Sequence, residues 1–551
     1  MKRGLGIIIL VFAFLVIHAD GLRGDEFEVS NASDLQSALS AAEANAEDDV
    51  IKVAQGTYVG SFVFSSVEGN SITLLGGYFS DFSGRVINPS NTVLDANNLG
   101  RVLLINCENG GGDIRIEGFT IRNSYAPEDH GGGIYVQLYT DIYEGPTGKI
   151  TIANNIITGN RAERYAGVYA NSHAVGGVAG DIILVNNTIT GNESSDMIPV
   201  NVVAWSLGEG TKAGDIYFAS NIITENSGSY EAVKVDTLVT LDMEGTNIEF
   251  VNNLIARNDC DGGVDATLEG IDAHATFTNN TIADNNGTGL DIFSAEGGTI
   301  NVYNNIIWNN GDEDIRIFFW IVPGVANGYN NDYLIMASGE AATDWTNEAN
   351  NIHLDPLFLG AANYYLQPTS PCIDSGDNSA SLLPAEDIEG NPRILDGNND
   401  GNAIVDMGAF EYFGLPVFID IKPGSCPNPL NTKSKGVLPV VVLGTEDFDV
   451  TAIDPASIKL EGTTSPLRWD YEDVATPFEG ELCDCHDVEG DGYLDLSLKF
   501  DTQELVASLS TISNGDVITV TITGRLKEEF GGEMIRGKDC IVIRMHWESI
   551  D

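Results

Sequence analysis

Lys234 and Asp265 are the two residues of this chain whose types and spacing best suit proton transfer. The spacing of a repeated phrase, described below, places them side by side on neighbouring strands. An amine and a carboxylate on an exposed face are candidates for general acid–base catalysis. The simpler interpretation is an ion pair between two strands of a solvated sheet. Both interpretations require the two side chains to point away from the core.

The strands that carry this pair also offer residues suited to binding a sugar. Inward positions alternate with outward ones along a strand, and we take the inward residues to be Ile134, Val168, Val202, Val233, Val264 and Leu290. The outward row beside them then includes Tyr135, Tyr169, Asn201, Lys234, Asp265 and Asp291. Inserts at one corner could wall a groove in which Tyr135, Tyr169 and Trp205 stack on sugar rings. Packing alone would also explain the aromatic residues.

Two acidic loops have the spacing of calcium sites. Oxygen side chains on alternate residues before a glycine resemble an EF-hand loop, and hard oxygen ligands favour Ca²⁺. The first loop offers Asp396, Asn398, Asp400 and, in place of the usual final glutamate, Asp406. The second offers Asp487, Glu489, Asp491, the carbonyl of Tyr493, and Asp495. We expect any bound ion to be structural, and a solvated acidic turn is the alternative.

The cysteines predict disulfides near the C-terminus. Four of the seven lie in the last 126 residues, at positions 426, 483, 485 and 540. An odd number leaves at least one cysteine unpaired within the chain, and sequence alone does not assign the partners. Cys483 and Cys485, with only His486 beside them, are too isolated to indicate a zinc site.

A seven-residue phrase must position the side chains of the outward row. It reads NNIITGN at Asn154 and returns at Asn186, Ser220, Asn252, Asn279 and Asn304, at intervals of 32, 34, 32, 27 and 25 residues. Such intervals are typical of a stacked solenoid. Around each phrase, apolar residues align in columns, such as Ile150, Ile182, Ile216 and Ile248. Uniform columns predict parallel strands stacked in register, about 4.8 Å apart.

The asparagine pair in each phrase predicts a corner. Counting in twos from Ile152 places Asn154 inside, whereas counting back from Ile157 places Asn155 inside, so the chain must bend between them. Asparagine tolerates the left-handed backbone conformation that a bend requires. We therefore predict a ladder of side-chain amides, each bonded to the next rung, through Asn155, Asn187, Asn221, Asn253, Asn280 and Asn305.

The NN-x-I-x-x-N rungs, the GGGIY strand at Gly131 and a predicted cap helix together resemble the right-handed parallel β-helix proteins of the pectate lyase-like superfamily. The cap helix is expected from an N-cap at Ser33 to about Ala46. The resemblance covers about residues 25 to 410. It implies an all-β solenoid whose exposed sheet would carry any active site. That superfamily includes lyases, which need a base and often calcium, and hydrolases, which use paired carboxyl groups.

Residues 350 to 412 carry the phrases LDPLF, SPCIDSG, DIEGNPR and VDMGAFEY. They resemble the C-terminal end of the choice-of-anchor Q proteins, an exported family whose chains end in varied attachment modules. After Gly414 the pattern changes to short alternating strands, which predict a small antiparallel β-sandwich. The expected organisation is a signal peptide over 1–19, cap and first rungs over 25–110, β-helix with its cap over 111–413, and sandwich over 417–551.

Charge and the N-terminus bear on where the protein works. The formal net charge is -54, so the surface repels nucleic acid and disfavours polyanionic sugars unless a cation bridges them. Lys2 and Arg3 precede an apolar run that is too short to span a membrane, which indicates a secretory signal and no membrane span in the mature chain. We expect a secreted or cell-surface scaffold, non-catalytic, that binds carbohydrate or a surface partner. A polysaccharide lyase or glycoside hydrolase is the alternative.

Overall fold

The structure is a computed structural model. It describes residues 24–545 except 46, 110–111, 142–146, 241–242, 338–341, 399, 447, 478–482, 484–485, 487–489, 510–511 and 531. The predicted signal peptide lies outside these residues. Within them, helices are too short or too polar to cross a membrane.

A helix near the N-terminus covers the open end of the solenoid. It spans Ala32–Glu43 and buries Leu35, Ala38, Leu39 and Ala42, as the apolar spacing predicted. The predicted N-cap at Ser33 is wrong. Asn31 holds that position, and its side-chain oxygen accepts a hydrogen bond from the backbone N–H of Asp34 at 3.0 Å. Asparagine is as good an N-cap as serine, so local geometry decided between them.

Three parallel sheets form the solenoid, and each complete rung contributes one strand to each sheet. The sheet that carries the outward row, which we call the front sheet, consists of Phe62–Ser66, Leu103–Glu108, Ile134–Thr140, Val168–Val175, Val200–Leu207, Val233–Val239, Gly262–Leu268, Thr288–Ser294 and Ile315–Phe319. The back sheet consists of Glu26–Val29, Asp49–Ala54, Ile72–Tyr78, Ile114–Glu117, Ile150–Ala153, Ile182–Val185, Ile216–Ala219, Asn247–Val251, His274–Thr278, Thr299–Tyr303, Val325–Tyr329 and Asn347–Ala349.

The third, or side, sheet has shorter strands: Gly56–Val59, Thr92–Asp95, Thr120–Arg122, Ile156–Thr158, Thr188–Thr190, Ile222–Thr224, Leu254–Ala256, Thr281–Ala283, Ile306–Trp308 and Asp332–Tyr333. A small parallel sheet beside it joins Tyr125–His130, Arg161–Arg164 and Glu193–Ser194. A 3-10 turn at Pro89–Asn91 precedes the second strand of the side sheet.

Because the strands of successive rungs are in register, similar side chains stack on one another along the solenoid. Phe218, Phe250 and Phe277 form such a column inside it, with neighbouring ring centroids 4.6 and 5.1 Å apart.

The predicted asparagine ladder is confirmed. The amide of Asn155 donates to Asn187 Oδ1 at 3.2 Å, and the same bond repeats through Asn221, Asn253, Asn280 and Asn305. The first residue of each phrase adopts the left-handed conformation, as at Asn154 with φ of 54°. A second ladder, which was not predicted, runs through the last asparagine of each phrase: Asn160, Asn192, Asn226, Asn258, Asn285 and Asn310.

The segment after the last rung folds back along the outside of the solenoid. Its paired strands are Phe358–Gly360 with Asn363–Leu366 and Ile394–Leu395 with Ile404–Val405. Tyr364 and Phe410 pack on Leu254 and Ala283 of the side sheet. The side-chain amide of Asn279, the first residue of its phrase, donates a hydrogen bond to the carbonyl of Asp406 at 2.9 Å. This segment therefore covers one corner of several rungs.

A sandwich of two sheets follows, and its strands pair mainly antiparallel as predicted. One sheet contains Leu415–Pro416, Met534–Arg544, Val517–Leu526 and Ile453–Leu460, with Pro429–Asn431 beside Met534–Arg544. The other contains Ile419–Ile421, Val437–Val442, Asp495–Asp501 and Arg468–Glu472. A short helix at Thr502–Ser508 and 3-10 turns at Val450–Ala452 and Glu528–Phe530 complete it.

The cysteines follow the expected division. Cys483 is bonded to Cys540, and Cys426 is also in a disulfide. In the described part of the chain, the unpaired thiols are Cys107, Cys260 and Cys372, all buried in or beside the solenoid.

Candidate functional site

The front sheet presents three parallel rows of outward side chains. Backbone register places Tyr135, Tyr169, Asn201, Lys234 and Asp265 next to one another, with Asp291 and Arg316 continuing the row. The register pairs Val168 with Val200 and not with Val202, which corrects the predicted inward column. The outward row is unchanged, because Val200 and Val202 point to the same side.

Aromatic rings stack at one end of this first row. The rings of Tyr135 and Tyr169 are 4.9 Å apart at an angle of 29°, and Tyr165 stacks on Tyr169 at 4.8 Å. The guanidinium of Arg101 lies 5.0 Å from the centroid of the Tyr135 ring. These contacts hold the tyrosines as a preformed, half-buried aromatic surface.

Trp205 lies on a different row from the two predicted tyrosines. It pairs in register with His173, which pairs with Tyr139, four residues further along the strands. Trp205 and His173 are almost parallel, with ring centroids 4.4 Å apart and an interplanar angle of 6°. His173 and Tyr139 were not among the predicted site residues, although strand alternation from Tyr135 and Tyr169 places both of them outward.

Polar atoms without hydrogen-bond partners among the described residues lie on and between the two aromatic rows. Asn171 and Asn201 are buried, and within the described residues nothing donates to the Oδ1 atom of either side chain. Nε2 of His173 is likewise buried without a partner among them, and burial lowers the pKa of this imidazole. An amide oxygen left unpaired in a buried site costs about 1–3 kcal/mol. A ligand that donates hydrogen bonds would remove this cost.

The predicted pair of Lys234 and Asp265 forms, and a third residue joins it. Nζ of Lys234 lies 2.6 Å from Oδ2 of Asp265 and 3.7 Å from Oδ1 of Asp236, the next outward residue on its own strand. Burial opposes the charge of Lys234, but the two carboxylates outweigh burial and raise its pKa. Lys234 therefore stays protonated and is poorly suited to act as a base.

Burial has the opposite consequence for the neighbouring carboxyl groups. It raises the pKa of Asp236 to about 6, with Lys234 opposing and Asp265 reinforcing the shift. Burial also raises the pKa of Glu231. Asp236 was not among the predicted site residues, because its position two residues from Lys234 gave no indication that it would be so buried.

Asp291 is held by the next strand. Its Oδ1 accepts a hydrogen bond from Nε of Arg316 at 2.9 Å, and a second bond from Nη2 makes the pair bidentate. This bonding raises the pKa of Arg316. Asp291 is thus occupied by a protein partner and is less available to a ligand than Asn201.

A cleft of about 380 Å³ lies at the aromatic end of the front sheet, and Arg101, Tyr135, Gln137 and Tyr139 are among the residues that line it. A larger cavity of about 450 Å³ lies where the C-terminal segment meets the sandwich. Its charged groups bind each other, since Lys538 lies 3.3 Å from Glu389 and Tyr365 donates to the same carboxylate. The front sheet is therefore the better candidate.

The first calcium loop does not gather its four predicted ligands around one point. The backbone N–H of Asp400 donates hydrogen bonds to the side-chain oxygens of Asp396 and Asn398, at 3.0 and 2.9 Å. Asp406 is buried elsewhere and accepts from the N–H groups of Asp374 and Tyr412. Burial, and the nearby Glu411, raise the pKa of Asp406 well above its usual value. Calcium binding at this loop stays a prediction.

The second calcium loop is described only in part, because Asp487 and Glu489 lie outside the described residues. Asp491 accepts a hydrogen bond from the N–H of Tyr493 at 3.0 Å. Asp495 is buried, and its carboxylate accepts from the N–H groups of Gly444 and Val474 at 2.9 and 2.8 Å. These bonds occupy the oxygens of Asp495 inside the sandwich.

A family profile described as "Right handed beta helix region" matches residues 102–320. Among solved structures, the chain is similar to the crystal structure of pectate lyase Pel9A, with 14% sequence identity and a TM-score of 0.37. The match covers 71% of this chain and 97% of that chain. An alginate lyase from Paenibacillus sp. str. FPU-7 is 17% identical, with 54% and 97% covered and a TM-score of 0.20. No curated protein matches. The profile and the stacked sheets show a right-handed β-helix, and fold alone does not give activity.

Proposed function

We propose that this chain is an exported scaffold whose front sheet binds a neutral polysaccharide. The observation that carries the proposal is the pair of aromatic rows with buried, unpartnered polar atoms on and between them. The ring of Trp205 can stack on a sugar face and the stacked tyrosines can contact the sugar through their ring edges. Asn171 and Asn201 can accept hydrogen bonds from hydroxyl groups. A neutral sugar fits best, because a net charge of -54 repels a polyanion.

Export and attachment complete the proposal. The apolar run after Lys2 and Arg3 supports secretion, and disulfides such as Cys483 to Cys540 suit an oxidising compartment. The resemblance of residues 350–412 to choice-of-anchor Q proteins supports a place at the cell surface. Calcium at the loops of Asp396 and Asp491 would stiffen the C-terminal part and would take no part in binding.

Binding is tested by substituting the aromatic rows. Trp205→Ala should weaken binding to a retained neutral polysaccharide about five- to tenfold, since it removes a stacking surface worth about 1 kcal/mol. Tyr169→Ala should weaken binding to a similar extent, since it removes the ring on which both Tyr135 and Tyr165 stack. The measurement is affinity electrophoresis or calorimetry across a panel of neutral glucans, mannans and xylans.

The matched control for this experiment is Tyr303→Ala. Tyr303 is also an outward tyrosine in a stacked pair, with Tyr329 at 5.6 Å, but it lies on the back sheet. The control should bind like the wild type and have a similar melting temperature. Retention of full affinity by both front-sheet variants would contradict the proposal, as would the absence of binding by wild type across the panel.

A glycoside hydrolase is the second candidate, and the burial of Asp236 favours it. A carboxyl group whose pKa is about 6 is protonated often enough to act as a general acid. Asp265, paired with Lys234 on the adjacent strand, would supply the second carboxylate that such an enzyme needs.

Enzymatic turnover is tested by assaying the same glycan panel for new reducing ends. If the site is catalytic, Asp236→Asn should lower the rate by at least about 100-fold, and wild-type activity should fall as the pH rises through about 6. Glu249→Gln, which neutralises a half-buried outward carboxyl group on the back sheet whose pKa burial also raises, is the control. If the wild type binds a polysaccharide and releases no product, the non-catalytic scaffold is supported and the glycoside hydrolase is contradicted.

A further inference from the structure

We propose that a divalent metal ion such as Zn²⁺ binds between the two sheets of the C-terminal sandwich, with Asp420, His486 and Asp539 as its ligands. One ligand atom from each residue lies within 4.8 Å of the others. The three residues come from separate parts of the chain: Asp420 from the strand Ile419–Ile421, Asp539 from Met534–Arg544 in the other sheet, and His486 from the segment that follows Arg468–Glu472. The proposal is independent of the proposed function.

Asp420 is the residue that most clearly indicates a ligand. Only 3% of it is exposed, and its carboxylate faces His486 and Asp539. Burying a carboxylate is costly unless it is paired or coordinates a metal. A second buried carboxylate, that of Asp539, adds to this cost. A divalent cation between them would remove it.

Asp539 is held in the orientation that a metal ligand needs. Its Oδ2 accepts hydrogen bonds from the N–H of Ile421 at 2.7 Å and from Nδ2 of Asn428 at 3.0 Å, and its Oδ1 accepts from the N–H of Cys540 at 2.6 Å. A carboxylate has about four acceptor positions, so one remains for a cation. Bonds of this kind to the outer side of a ligand are typical of metal sites.

The disulfide between Cys483 and Cys540 keeps the histidine close to this pair. It joins the segment of His486, three residues after Cys483, to the strand of Asp539, one residue before Cys540. The two bonded sulfur atoms are therefore not ligands. An imidazole with two carboxylates suits Zn²⁺ in a site with a fourth position open to water, whereas Ca²⁺ prefers oxygen ligands alone. The ion would link both sheets to the disulfide-bonded segment.

The test is calorimetric titration of Zn²⁺ into the full chain, after chelator treatment and without reductant. Wild type should bind one equivalent. Asp420→Asn and His486→Ala should each weaken binding by about 100-fold or more, because loss of a direct ligand should exceed the effect of losing an outer contact. Asp470→Asn, an exposed carboxylate on the strand Arg468–Glu472, is the matched control and should bind as wild type does.

Two further measurements keep the proposal falsifiable. Without metal, Asp420→Asn should melt at or above the wild-type temperature, because it removes one of two neighbouring buried carboxylates; a large decrease would contradict this account. Co²⁺ in place of Zn²⁺ should give visible absorption bands in wild type and lose them in His486→Ala. The absence of stoichiometric binding by wild type, or unchanged binding in both ligand variants, would overturn the proposal.

Discussion

Asn221→Ala should lower the free energy of unfolding by about 3–5 kcal/mol, since it leaves several buried groups unpaired at about 1–3 kcal/mol each. Asn221 is fully buried in the middle of the ladder. Its Oδ1 accepts from the backbone N–H and the side-chain amide of Asn187, both at 3.0 Å. Its Nδ2 donates to the carbonyl of Leu184 at 2.9 Å and to Asn253. Alanine supplies none of these bonds, and no water can enter the packed corner to replace them.

Asn351→Ala is the matched control for Asn221. Asn351 makes the same set of bonds to Asn331 and to the carbonyl of Gly328, but it ends the ladder and is half-buried. Water can replace its bonds, so the loss should be about 1 kcal/mol. Denaturant unfolding compares the two, and hydrogen exchange at the amide of Asn187 should accelerate only in Asn221→Ala. Equal destabilisation by both variants would show that the ladder is not the source of the effect.

Arg393→Met should destabilise the protein by about 3–5 kcal/mol, because it leaves a buried carboxylate without its cation. Arg393 and Glu411 are each 1% exposed in their side chains, and Nη1 lies 2.8 Å from Oε1. Arg393 also donates to Asn252 of the β-helix and to the carbonyl of Ala409 at 3.1 Å. It therefore fastens the C-terminal segment to the solenoid. Thermal unfolding should show loss of this segment first.

The pH dependence of the stability of Arg393→Met tests whether the unpaired charge of Glu411 causes the destabilisation. Burial raises the pKa of Glu411, and Arg393 opposes this effect, so the variant should have a still higher pKa. A carboxyl group with a raised pKa stabilises the folded state below its unfolded value, and that stability is lost as the pH rises through the folded value. The loss of unfolding free energy in Arg393→Met should thus be small at acidic pH and large at neutral pH. Adding Glu411→Gln should recover part of it, and a deficit independent of pH would contradict this explanation.

The repeat predicted most of the fold because its physics is local and regular. The asparagine phrase and the apolar columns placed the corner, the ladder and the inward faces, since period-two alternation and in-register stacking leave few other arrangements. The same alternation placed Lys234 beside Asp265. It could also have placed His173 and Tyr139, had it been followed further along each strand.

Burial and long-range contacts could not be predicted in the same way. Nothing in the sequence near Asp236 shows that neighbouring strands bury it and raise its pKa, or that Asp406 leaves its acidic loop for a buried position beside Glu411. These outcomes depend on which segments cover which faces. The C-terminal segment returns along one corner of the solenoid through contacts between residues more than 100 positions apart, such as Asn279 with Asp406.

His486 shows most clearly what each level decided. Its neighbours in the chain, Cys483 and Cys485, do not by themselves indicate a zinc site. The β-helix, its corners and its outward row follow from the amino-acid sequence, because a repeat turns local residue preferences into a periodic structure. Which distant groups meet, such as Asp420, His486 and Asp539, depends on the folded chain. Their proximity depends on the packing of two sheets and on one disulfide, and neither is encoded in local spacing.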